Sequence, residues 1–139
     1  MPSLEISWLS VLAAAIASFA FGAVWYLSLG KQWLAAIAKT EEEVAPAGKT
    51  NPAPFVITFF IQILMAWLLA GLIGHIGQFS LMNGLVTAFW CWLAFIITTM
   101  TVNHRYSLAP WSLTLIDGAH WLGVVLIQGA ITGWWNAAG

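Results

Sequence analysis

Of 139 residues, 61% are hydrophobic and 6% are Asp, Glu, Lys or Arg, against roughly 25% charged in a soluble domain. So few charges cannot cover a water-soluble globule, which excludes a soluble enzyme, and a disordered tail would need low hydrophobicity and many charges. A net charge of −1 leaves no basic field for nucleic acid, and the single cysteine, Cys91, excludes an internal disulfide and a multi-cysteine metal site.

What remains is an integral membrane protein, with the lipid bilayer as its first partner. About 20 apolar residues cross the hydrocarbon as a helix, and continuous runs of that length are helical rather than barrel strands. Four such runs predict an all-α antiparallel bundle of four transmembrane helices in one domain over 1–139. The first, 6–29, carries no charge. It has no basic segment before it and is too long for a signal-peptide core, so it is expected to be a retained helix. The connection 30–53 holds Lys31, Lys39, Glu41, Glu42, Glu43, Lys49, Pro46 and Pro52. Its first part, Lys31 to Val44, has Trp33, Leu34 and Ile37 at helical spacing, which predicts either a short interfacial helix or a solvated loop. The second run, 54–77, contains Thr58, Gln62 and, near its end, His75. Gln78, Phe79 and Ser80 form a tight turn into the third run, 81–102, which has no charge. Residues 103–111 are predicted to connect it to the fourth run, 112–135, which holds Asp117, His120 and Gln128.

Lys and Arg set orientation. Lys31, Lys39, Lys49 and Arg105 all fall in the first and third connections. That side is predicted to be cytoplasmic, with both termini outside. The chain has ten tryptophans. Trp8, Trp25, Tyr26, Trp33, Trp111, Trp134 and Trp135 lie near predicted helix ends, where an interfacial belt with wet N–H groups is expected. Trp67, Trp90, Trp92 and Trp121 lie deeper. They are either packing residues or a wall for a bound lipid or another flat apolar ligand, such as a quinone, sterol or pigment.

Small residues let helices approach in lipid. Ala14, Ser18 and Gly22 recur along the first helix, Gly71, Gly74 and Gly77 close the second, and Gly129 and Gly133 mark the fourth. Stripes on several faces exceed what one small bundle needs, so a homo-oligomer is predicted.

Polar residues within the spans are the only chemistry available. Asp117 is the one charged residue inside a span, five residues past Ser112 and so about 8 Å along the helix. An ionisable group there faces protein or a wet cavity. His120 follows on the same face, and Gln128 and Thr132 continue it. The third helix carries Asn83, Thr87, Cys91, Thr98 and Thr101. With Arg105 just outside that helix, one polar cluster of Asp117, His120, Arg105, Gln62, Thr98 and Gln128 is expected, with Asp117 paired to Arg105 or hydrogen-bonded to His120. His75 and His120 differ in depth by roughly 20 Å, so one chain cannot use them as a bis-histidine haem pair. His104 is expected in contact with solvent or headgroups. No second acid, activated-serine motif or metal-ligand spacing accompanies the cluster, so no catalytic residue, metal or obligatory cofactor is assigned.

The order of motifs resembles a known family. The first helix reads Phe21-Gly22-Ala23-Val24-Trp25-Tyr26, followed by Gly30-Lys31 and Trp33; later come Asn103-His104-Arg105-Tyr106, Leu115-Ile116-Asp117-Gly118-Ala119-His120, and Gly129-Ala130-Ile131 with Trp134. This is similar to the bacterial membrane family called domain of unknown function 1761, over nearly the whole chain. The resemblance implies four helices, a bacterial inner membrane and no established activity. Three readings stay open: a non-catalytic structural or accessory subunit, alone as a homo-oligomer or joined to other membrane subunits; a small proton- or cation-coupled transporter or channel using Asp117 and His120; and a lipid- or quinone-modifying enzyme.

Overall fold

The computed structural model describes residues 5–138, all of them helix or short connection apart from one isolated bridge between Ala47 and Asn51. Helix α1 runs Trp8–Ser28, after Ser7, whose hydroxyl accepts from the Ser10 N–H and so satisfies one of the unpaired donors at the helix start. Helix α2, Gly30–Ile37, turns off its end. Two single turns follow, α3 (Glu41–Val44) and α4 (Pro46–Lys49), and then α5, Ala53–Ile76. The third span is α6 (Leu81–Cys91), a π-helical turn (Trp92–Ile96) and α7 (Ile97–Tyr106). The fourth span, α8, runs Trp111–Ala137. Four helices are thus long and apolar enough to cross a membrane.

Two boundaries differ from the sequence expectation. The short helix after the first span stops at Ile37 because Ala38 adopts a left-handed conformation, φ 55°. Thr40 then opens a new turn through a reciprocal capping box with Glu43, and Pro46 opens another. The third span continues to Tyr106, past its predicted end, and carries His104 and Arg105 in its last turn, where positive charge complements the helix dipole.

The four spans are antiparallel along the bundle, and α8 packs against each of the other three. At one end the Ser7 N–H donates to Asn136. At the other, Tyr26 meets Asp117. All four Lys and Arg residues sit in the segments at this second end. Leu69, Ile73, Ala88 and Val125 form one buried apolar cluster, and Val11, Ala14 and Ala66 another.

The closest approach is between α6 and α8. A methyl group on Gly84 would overlap the Gly129 carbonyl, one on Gly129 would overlap the Gly84 carbonyl, and one on Gly133 would overlap the Ser80 carbonyl. Ala14, Ser18 and Gly22 are likewise buried within the bundle, with Gly22 against the His120 ring. The two stripes containing Ala14, Ser18, Gly22, Gly129 and Gly133 are therefore consumed inside one chain. They do not supply the surplus outer faces from which a homo-oligomer was predicted.

Candidate functional site

Polar side chains along α8 meet partners in three layers. In the first layer, at the end of the bundle where α1 starts, Asn136 Oδ1 accepts from Ser7 N at 2.8 Å, and its Nδ2 donates to Ser10 Oγ at 3.0 Å. In the middle layer, Ser18 Oγ donates to Gln62 Oε1 at 2.8 Å. Gln128 Nε2 donates to Ser18 Oγ at 3.1 Å and to the Gln62 carbonyl at 3.2 Å. All three of these residues are buried. The Gln62 carbonyl accepts only from the amide nitrogen, so it fixes which way the Gln128 amide points.

In the third layer, the Tyr26 hydroxyl donates to Asp117 Oδ1 at 2.6 Å, a separation typical of a hydroxyl on a carboxylate. His120, only 5% exposed, stacks parallel to Phe21 and packs at an angle on Tyr26 and Trp121. Its Nδ1 is buried without a partner. A methyl group on Gly22 would stand 2.8 Å from His120 Nε2, so the glycine makes room for the ring.

The polar residues expected in one cluster are therefore divided among separate places. Asp117 pairs with neither Arg105 nor His120 by hydrogen bond. Instead it turns toward α1, where Tyr26 reaches it. Arg105 lies across the first turn of α8, where Nη2 donates to Thr114 Oγ1 at 2.7 Å and to the Pro110 carbonyl at 3.4 Å. Its guanidinium carbon sits 3.6 Å from the centre of the Trp111 ring. Gln62 and Gln128 belong to the middle layer, eleven residues of α8 away from Asp117, or about 16 Å. Thr98 is exposed and bonds back to the Ala94 carbonyl of its own helix. Thr58 likewise bonds to Pro54.

Other residues enter that the sequence reading had placed elsewhere. Tyr26 had been assigned to the interfacial belt and Ser18 to a packing stripe. Trp25 was expected to keep its indole N–H wet; it donates instead to the Ile116 carbonyl at 3.0 Å. The deep tryptophans do not share one wall. Trp92 donates to the Gly118 carbonyl at 2.8 Å, Trp121 meets His120 edge-on, Trp67 stacks on Trp8, and Trp90 is exposed. A signal for Tyr26 was available. Antiparallel pairing of the first and last spans puts residues near the end of one beside residues near the start of the other.

Two cavities adjoin the bundle. One, of about 720 Å³, is lined by Glu5, Ile6, Ser7, Trp134, Trp135 and Asn136 among others. The second, of about 390 Å³, is an apolar groove between α5 and the third span, with Met65, Leu72, Phe95 and Val125 on its walls and Cys91 and Gln128 also contributing. Among the described residues, no group of three or more His, Cys, Asp or Glu side chains could hold a metal ion. Tyr26, Asp117 and His120 offer proton-exchanging groups in one place, and Cys91 lies apart from them in the groove.

Four long apolar helices packed into one bundle define a small polytopic membrane protein. The chain belongs to the family described as protein of unknown function (DUF1761), whose family model matches residues 9–133. No curated protein and no solved structure matches it.

Proposed function

We propose that the chain is a non-catalytic structural or accessory subunit of a membrane assembly, self-associating or joined to other membrane proteins. We place it in a bacterial inner membrane, with the lysine- and arginine-bearing end in the cytoplasm. The observation that carries the reading is the contact of Ser18, Gln62 and Gln128, in which the Gln128 amide nitrogen binds both partners and only its Oε1 is left without one. These polar groups bind one another across three helices, so they act as glue between helices rather than lining for a path. Fully buried Val124 separates His120 from Gln128, which lie eight residues apart, or about 12 Å. That apolar gap interrupts any relay of protons along α8. The third span offers the broadest outward surface: 11% of its most apolar window is buried, against 28–39% for the other three.

One observation favours the transporter reading as an alternative. His120 Nδ1 is buried without a partner beside the Tyr26–Asp117 pair. Two measurements together test the proposal. A photo-crosslinking amino acid at Trp90 or Phe95, both exposed, should give a discrete protein adduct in native membranes, whereas adducts with lipid alone would count against docking there. Purified chain in liposomes should show the same proton and cation flux as Asp117→Asn. Flux that collapses in that variant would overturn the proposal in favour of transport.

A further inference from the structure

Arg105, in the last turn of α7, reaches across to the first turn of α8. Among the described residues no carboxylate lies within salt-bridge distance of it. Its Nη2 is used by Thr114 and Pro110, and its buried Nε–H meets no acceptor. The guanidinium plane is held by Trp111, so the group is presented in one orientation rather than free to swing.

His104 completes the arrangement. Its Nδ1 is 2.8 Å from the same Thr114 Oγ1 that accepts from Arg105. A hydroxyl has one proton to give. With its oxygen accepting from Arg105, Thr114 can give that proton to His104 Nδ1. In that tautomer His104 carries its own proton on Nε2, as a second donor. The same end of α8 has no capping side chain and no acid in its first turn; the Leu113 N–H donates to the Pro110 carbonyl at 3.1 Å, while the Trp111 and Ser112 N–H groups have no acceptor within the helix. The exposed Ser112 adds a hydroxyl. Guanidinium, imidazole and the first turn of α8 thus bring hydrogen-bond donors together at the start of the fourth span.

We propose that this corner, formed by Arg105, His104 and the first turn of α8, binds the phosphate of an acidic phospholipid. Phosphate chemistry suits it because Arg105 Nη1, which no hydrogen bond within the bundle uses, can donate to a phosphate oxygen with the strength of a charge-assisted bond, and helix amino ends accept such anions. The proposal does not depend on whether the chain is an accessory subunit or a transporter.

Native mass spectrometry of the full chain in mild detergent tests it, with phosphatidylglycerol and phosphatidylcholine titrated separately. Wild type should retain phosphatidylglycerol in preference to phosphatidylcholine. Arg105→Gln should weaken that binding roughly tenfold, the loss expected for a charge-assisted pair, while Lys39→Gln leaves it unchanged. Ser112→Asp serves as a second variant that keeps the fold. A carboxylate in the first turn suits the helix dipole, so the protein should be at least as stable while its phosphatidylglycerol preference disappears. Unchanged preference in both variants overturns the proposal. Displacement of the lipid by excess inorganic phosphate overturns the lipid assignment and gives the corner to a soluble phosphate; retention of the lipid supports it.

Discussion

Gly84→Ala should be the most damaging single-methyl change in the bundle. The added carbon would overlap the Gly129 carbonyl, standing 2.7 Å from its carbon and 3.3 Å from Gly133 Cα. Carbon atoms settle at roughly 3.5–4.0 Å, so α6 and α8 must part by about 1 Å to admit it. Overpacking costs about 1–3 kcal/mol when side chains can adjust. Here the obstacle is backbone, which cannot change rotamer, so the upper end of about 3 kcal/mol is expected. Separation also strains the Trp92–Gly118 hydrogen bond, 2.8 Å long and farther along the same helix pair. Gly118→Ala is the matched control: its methyl would meet the tip of the Ile97 side chain at 2.6 Å, which can swing aside, for under about 1 kcal/mol. Unfolding in mixed micelles titrated with SDS, followed by tryptophan fluorescence, compares the two. If Gly84→Ala lies within about 0.5 kcal/mol of wild type, or costs no more than Gly118→Ala, the close α6–α8 contact is not what holds the bundle.

The same titration checks the middle polar layer. Gln128→Leu removes the donor to Ser18 and to the Gln62 carbonyl and should cost about 1 kcal/mol, in the range of interhelical hydrogen bonds in membranes; a neutral result would make the layer incidental. Tyr26→Phe should destabilise by roughly 1 kcal/mol through loss of the hydrogen bond to Asp117. Asp117→Asn keeps an acceptor for the same hydroxyl and should cost less, so the reverse order would speak against the Tyr26–Asp117 bond. Gly22→Ala should push the His120 ring from its slot. Modification of His120 by diethyl pyrocarbonate, read by mass spectrometry, should then be faster than in wild type, and an unchanged rate would show that the ring is not seated on Gly22.

The spans were legible because hydrocarbon imposes a rule that acts locally. Every backbone polar group must be bonded within its own segment, so an apolar run of sufficient length is already a helix. Observed spans begin and end within two residues of the expected ones at most boundaries. The exception is the third, which continues through Asn103, His104 and Arg105 to Tyr106. Those residues are polar, so apolarity does not mark the helix end there. Thr40 and Glu43 carried a readable capping signal that divides the first connection. The left-handed Ala38 before it had no comparable cue, since alanine is the best helix former.

The polar site was legible in membership and not in partnership. Asp117, His120, Gln62 and Gln128 stood out as polar residues in apolar runs, and each does face protein in the bundle. Sequence nearness suggested Arg105 for Asp117, because both flank the third connection. Which side chains touch depends on helix rotation and depth, and these are set by where glycines allow backbones to meet. The reciprocal contact of Gly84 and Gly129 draws α8 against α6 on one side. Gly22 admits His120 on the other, and Asp117 is thereby turned to Tyr26 while Arg105 stays on the rim with Thr114.

Composition and the length of its apolar runs therefore determined by themselves that this chain lives in lipid as four helices, because solvent exclusion acts residue by residue along the chain. Tertiary structure alone decided how the polar groups divide into three layers and that Asp117 bonds to Tyr26 rather than to Arg105. Those outcomes rest on ångström-scale contacts between segments far apart in the chain, and no local pattern encodes them.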